Sequence, residues 1–171
     1  ISMKNLRTLD IIKGLIDGDV DLGLVRKTAV TKPLKSTGKI EYGYRLFVPR
    51  KMKKKLSGKL TVKQLASIPL ALIGEQGEFR RQLEGLVRNE SVDLDIKLEC
   101  SSHAQVATAI LSGKYGGFLP DFAVEMLPDS KTASYEVKGF EELKRQLVFA
   151  WSPKQAELKA SVKQAVSAIG A

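Results

Sequence analysis

Two residue types often used in covalent and metal chemistry occur once each in this 171-residue chain. His103 is its one histidine and Cys100 its one cysteine, and they flank Ser101 and Ser102. A serine nucleophile needs a base that reaches it across the fold and a third group that orients the base. Ser101, Ser102 and His103 are only sequence neighbours, and no Gly-x-Ser-x-Gly elbow occurs. A metal at His103 would have to rely on carboxylates, and no close Asp/Glu spacing supplies them. Cys100 ends a run whose apolar members Leu94, Ile96 and Leu98 alternate, so it reads as a small buried side chain rather than a redox sensor. Gly113, Gly116 and Gly117 lead into a strand, the wrong context for a Walker loop or a dinucleotide fingerprint. These residues offer no convergent catalytic set, no metal set and no cofactor fingerprint, so the expectation is that the chain is not an enzyme and takes no cofactor or metal.

Charge is the other conspicuous feature. The net charge is +9, and Arg50, Lys51, Lys53, Lys54, Lys55, Lys59 and Lys63 fall in one stretch that contains no acid. Such a cluster attracts nucleic acid or anionic lipid electrostatically. Its apolar residues, Met52, Leu56, Leu60 and Val62, are all aliphatic, without the aromatic platforms of a single-strand binder, and the stretch reads as a solvated surface turn. No apolar run approaches the roughly 20 residues that cross a bilayer, and Ile1–Asn5 lacks the layout of a signal peptide. With a single cysteine excluding an internal disulfide, the expected setting is the cytoplasm, with no membrane partner.

The elements that must position these side chains follow from periodicity. Leu6, Leu9, Ile12 and Ile16 share one helical face, and Gly18 stands where a left-handed cap ends a helix. The run 20–25 reads as a buried strand, which after a helix implies parallel pairing. The polar, Lys/Thr-rich stretch 27–39 reads as a loop. Tyr44–Pro49 is a strand stopped by its proline, and 61–67 is a short helical turn. Alternation then becomes regular: strand 70–73, helix 79–89, strand 94–99, helix 102–111, strand 115–119. A short helix at 122–127, strands at 134–137 and 146–151 and a last helix complete the chain. Ser152 is the expected N-cap of that helix and Pro153 its first residue, with Leu158, Val162, Ala165, Val166 and Ile169 on the buried side. Alternating βα units of this length give an α/β domain with parallel-rich sheets flanked by helices.

Three stretches, in order, resemble the effector-binding domain of LysR-type transcription regulators. Leu15-Ile16-Asp17-Gly18-Asp19-Val20-Asp21-Leu22-Gly23-Leu24-Val25 is similar to the family's helix, "G-x-x-D" turn and strand. Leu46-Phe47-Val48-Pro49-Arg50-Lys51 resembles the strand that crosses between lobes. Glu99-Cys100-Ser101-Ser102, then Val106 and Ala107, then Gly113-Lys114-Tyr115-Gly116-Gly117-Phe118-Leu119-Pro120 resemble the strand, ligand-facing helix start, glycine turn and "x-P" strand end. Tyr115 departs from the family's second turn glycine.

The resemblance implies a two-lobed, type II periplasmic-binding-protein-like fold with two crossing hinge strands. Lobe I would be residues 1–49 plus 146–171, incomplete at its N-terminus, and lobe II residues 50–145. It also implies a small-molecule effector, a homodimer or tetramer, and DNA contact only through a helix-turn-helix domain that this chain does not include. A solute-binding protein of a transport system is the alternative on the same fold.

Ligands of open α/β sheets sit beyond the carboxyl ends of strands. Arg26 and Lys27 follow one such end, either as exposed loop cations or, for Arg26, as a fork for a carboxylate. Ser101 and Ser102 cap a helix, contact an effector, or divide the two roles. Gly74 and Gln76 lie after the strand 70–73, serving a turn or a ligand. Phe118 and Pro120 read equally as core and as an apolar pocket wall. The expected ligand is a small anionic or polar metabolite.

Overall fold

The computed structural model describes residues 1–74, 78–141 and 143–170, the side chains of 54, 55 and 78 excepted. In chain order its helices and strands are α1 (Thr8–Asp17), β1 (Gly23–Arg26), β2 (Lys35–Tyr42), β3 (Tyr44–Pro49), α2 (Val62–Leu65), β4 (Leu70–Ile73), α3 (Glu78–Asn89), β5 (Ile96–Cys100), α4 (His103–Leu111), β6 (Gly116–Pro120), β7 (Thr132–Tyr135), β8 (Arg145–Trp151), α5 (Pro153–Leu158) and α6 (Ala160–Gly170). They form two compact units, Ile1–Glu41 with Arg145–Ala171, and Tyr42–Lys144. The division precedes Tyr44–Pro49 because that strand pairs with β6 and β7 of the second unit, whereas the sequence reading kept residues 1–49 together.

In the first unit a three-stranded sheet runs in the order β1-β8-β2. Gly18 ends α1 with φ +88°, its N–H donating to the Gly14 carbonyl at 2.9 Å, as its sequence position implied. The buried face of α1 differs from expectation. Leu15 is fully buried and packs with Ile11 and Ile12, while Leu9 and Ile16 are 79% and 51% exposed. A side chain at Gly23 would lie 2.3 Å from Ile11 Cγ2, so this glycine lets the Ile11/Leu15 stripe, rather than Leu9/Ile16, seat on β1.

β1 itself is half-exposed and pairs antiparallel with β8, placing Leu24 opposite Phe149 and Val25 opposite Val148. Val25 is buried and Leu24 is exposed, which corrects the reading of a fully buried, parallel strand. β2 forms where a loop was expected. It is nearly all exposed, and a polar strand without alternation leaves no trace in hydropathy. The last helix is two helices, separated at Lys159, whose backbone is extended. Leu158, expected on the buried side, is 70% exposed, while Val162 is buried. Pro153 opens α5, but the Ser152 hydroxyl makes no capping bond.

The second unit is a five-stranded sheet in the order β5-β4-β6-β3-β7. β4 lies parallel to β5 and β6, and β3 runs antiparallel to β6 and β7. Alternation sorts the sheet's two faces. Leu46, Val48, Leu70 and Phe118 join Leu65, Leu83 and Val87 in one core. Phe47, Ala71 and Leu119 join Val106 and Ile110 of α4 in the other. Each fully buried Leu or Phe contributes about 1.5–3 kcal/mol of transfer free energy, so both faces stabilise the unit. After α4 the left-handed backbone is carried by Gly113, at φ +81°. Tyr115 is therefore free to pack against the α4 core, and the departure from the family's glycine costs nothing at the turn.

Candidate functional site

The pairing directions bring the carboxyl ends of β4, β5 and β6 to one edge of the second unit's sheet, together with the start of β3. Gly74 donates its N–H to the Cys100 carbonyl at 3.0 Å. Tyr44 stands opposite Pro120. Gly43 and Asp121 lock the corner twice: the Gly43 N–H donates to Asp121 Oδ2 at 2.8 Å, and the Asp121 N–H donates to the Gly43 carbonyl at 3.0 Å. Gly74, Ser101, Pro120 and Tyr44 thus share an edge although they lie far apart in sequence.

α4 begins at this edge, and its start is a reciprocal cap. Ser102 is the N-cap, its hydroxyl accepting from the Gln105 N–H at 3.3 Å. The Gln105 carboxamide turns back and accepts from the N–H and the hydroxyl of Ser101, at 2.8 and 3.0 Å. Both serines therefore serve the cap, and α4 presents the positive end of its dipole to the edge.

An aromatic row runs along the same edge. The rings of Tyr44 and Phe79 stack at 4.0 Å, and His103 lies 6.5 Å from Tyr44. His103 is exposed, and partial loss of water around its ring lowers its pKa below 6.5, favouring a neutral imidazole that both donates and accepts. Cys100, just behind, is buried, and burial pushes its thiol up. Among the described residues no group of His, Cys, Asp and Glu side chains is arranged to hold a metal.

Of the residues singled out by sequence, Gly74, Ser101, Ser102 and Pro120 are brought together at this edge. Phe118 is 3% exposed, with its ring 5.4 Å from Phe79 and 5.0 Å from Phe140, so it sits beneath the edge in the core. Pro120 is buried. Gln76 lies outside the described residues. In the first unit, Arg26 ends β1 in extended backbone and Lys27 begins a 3-10 turn.

Sequence reasoning missed Gln105, Tyr44 and Phe79. The first had a signal, since Ser102-x-x-Gln105 is a capping-box pattern. The two rings come from distant elements and share no local pattern.

The family model for the LysR substrate binding domain matches residues 1–169. Comparison with curated proteins finds no match. Among solved structures, full-length CbnR complexed with its target DNA is similar with a TM-score of 0.73 at 16% identity, over 98% of this chain and 59% of that one. A LysR family regulator from Pseudomonas aeruginosa is similar with a TM-score of 0.72 at 15% identity, over 96% and 57%. The CcmR regulatory domain of Synechocystis PCC6803, in complex with 2-PG, gives 0.68 at 16% identity, over 96% and 82%. The chain spans under three-fifths of the first two of these structures' chains, and at these identities the likeness is one of fold. With the family model covering nearly its whole length, this chain belongs to the LysR substrate-binding domain family.

Proposed function

We propose that this chain is the effector-sensing part of a LysR-type DNA-binding transcription regulator and performs no chemistry itself. The observation that carries the reading is the family match over residues 1–169. The strand-end edge of the second unit supports the sensing role, because its described residues offer a ligand hydroxyls, an imidazole and the backbone N–H groups at the start of α4. The ligand is a small anionic or polar metabolite, met by the start of α4 with Ser101 and Ser102 and by the segment that holds Gly74 and Gln76, with buried Phe118 and Pro120 backing the edge from the core. Arg26 and Lys27, at the carboxyl end of β1, are taken by themselves as the first unit's candidate effector contacts.

CbnR, one of the similar structures, is bound to DNA, and CcmR holds 2-PG; both favour a regulator over a transport protein. In this reading the chain works in the cytoplasm, assembles as a homodimer or tetramer, and reaches DNA through a separate helix-turn-helix domain. An effector shifts such a regulator only by binding its two states with different affinity.

Isothermal titration of the chain with a panel of small carboxylates, phosphorylated acids and neutral polar metabolites tests the sensing role. At least one class should bind, and Ser102→Gly, which largely preserves helix capping while deleting the hydroxyl, should weaken that binding. Silence across every class would refute it.

A further inference from the structure

The second unit also contains a hollow of about 320 Å³ beside β3, to which Tyr44 contributes but neither Ser101 nor Ser102 does. Its floor is apolar: Val137 and Phe140 are 2% and 4% exposed, and Tyr44 brings a half-buried ring. Its rim carries the cations Arg45, Lys59 and Lys144 and the carboxylates Asp121, Glu136 and Glu141. Three charges of each sign make the rim formally neutral. Lys59 pairs closely with Glu141, and Asp121 already accepts from the Gly43 N–H. The Arg45 Nη1–Glu136 Oε1 contact is the loosest, at 3.4 Å, near the outer limit of a useful hydrogen bond.

This mixture of charges selects against simple ions. A lone anion drawn to the three cations meets three carboxylates at the same rim, and a lone cation meets the converse, so neither gains net attraction. A molecule that carries both charges next to an apolar body satisfies rim and floor together. The guanidinium of Arg45 is a planar fork suited to a carboxylate. The size matches the lower end of small-molecule sites.

We infer that this hollow binds a small zwitterion of the α-amino acid class with an aromatic or aliphatic side chain. The carboxylate pairs with Arg45, the ammonium with Glu136 or Asp121, and the side chain packs on Phe140 and Tyr44. The hollow shares Gly43, Tyr44 and Asp121 with the corner of the strand-end edge but holds none of the residues proposed above to meet the effector, and it stands whether or not those residues bind a metabolite.

Titration of the 171-residue chain with L-phenylalanine, L-leucine, phenethylamine and 3-phenylpropionate tests it. At least one of the two amino acids should saturate the chain, and phenethylamine and 3-phenylpropionate, which lack the carboxylate and the ammonium respectively, should bind at least about tenfold more weakly. Arg45→Gln and Glu136→Gln should each weaken amino-acid binding by about tenfold with unchanged circular dichroism, whereas Ser102→Gly should leave it unaltered. In the unsubstituted chain the amide resonances of Gly43 and Val137 should move with the bound fraction, a readout that needs no variant to fold. Failure of both amino acids to bind at millimolar concentration, equal binding of either truncated analogue, or unmoved Gly43 and Val137 amides at saturation would overturn the inference.

Discussion

The carboxamide oxygen of Gln105 accepts two hydrogen bonds from Ser101, one from its N–H at 2.8 Å and one from its hydroxyl at 3.0 Å. One side chain thereby satisfies the residue that precedes the N-cap, while Ser102 satisfies the N–H of Gln105 in return. Removal of Gln105 leaves the Ser101 N–H to water and loosens the first turn of α4. Gln105→Ala should therefore lower stability by about 1 kcal/mol, seen as a shift of the urea midpoint at constant slope. Ser101→Ala deletes only the hydroxyl bond and should cost less. Equal losses in the two variants would show that the carboxamide acts on something other than the Ser101 backbone.

Two glycines of the second unit should respond in opposite senses to alanine. A Cβ on Gly117 would lie 2.6 Å from Val106 Cγ1 and 2.8 Å from the Ala71 carbonyl oxygen, and the latter is backbone that cannot turn aside. Gly117→Ala should cost about 1–3 kcal/mol or more through overpacking between β6, β4 and α4. Gly85, inside α3, has nothing within 4 Å of the same position. Gly85→Ala should stabilise by about 0.5–1 kcal/mol through helix propensity and a less free unfolded chain. Urea midpoints of the two variants check both signs.

The parts of this fold that were legible in sequence are those where one face is wholly buried. β3 from Leu46 onward, β4 and β6 announce themselves by apolar runs, and α3 by Leu83 and Val87 beside Phe79 and Leu86, because the sheet of the second unit is covered on both faces. Gly18 was legible because its φ of +88° is a conformation that few other residues adopt. β2 was not, because a strand exposed along nearly its whole length has no reason to alternate. The rotation of α1 was not, because Leu9/Ile16 and Ile11/Leu15 are both plausible apolar stripes, and only the close approach at Gly23 chooses between them. At the site, Ser102 was readable as a cap from its neighbours. The stacking of Tyr44 on Phe79 depends on the order β6-β3 in the sheet and on where α3 begins, which are long-range facts.

His103 gives a clean titration because it is the only histidine. Loss of water around the ring lowers its pKa from 6.5, so below that pH the unfolded chain takes up the proton first. Stability attributable to this group is therefore complete above pH 6.5 and falls as pH drops below 6.5. The imidazole resonances should titrate below 6.5 in the folded chain, and His103→Gln should flatten the dependence of the urea midpoint on pH below 6.5. A folded-state midpoint at or above 6.5 would contradict the desolvation account.

Glu141 tests a different balance, since its side chain is exposed and no burial holds its charge. The Lys59 ammonium, with backbone N–H groups of Glu141 and Gly139, lowers its pKa from 4.5 to about 2. A depressed carboxylate contributes stability above its unfolded pKa and loses it as pH falls toward the folded value, so the window runs from 4.5 down to about 2. Lys59→Met removes the first cause and leaves the backbone bonds, so the Glu141 carboxyl, followed by its carbon resonance, should titrate higher than in the parent yet still below 4.5. Because the pair is exposed, salt should produce part of the same rise in the parent chain. A midpoint unmoved by both Lys59→Met and salt would assign the whole depression to the backbone N–H groups and leave Lys59 as one more solvated member of the basic stretch.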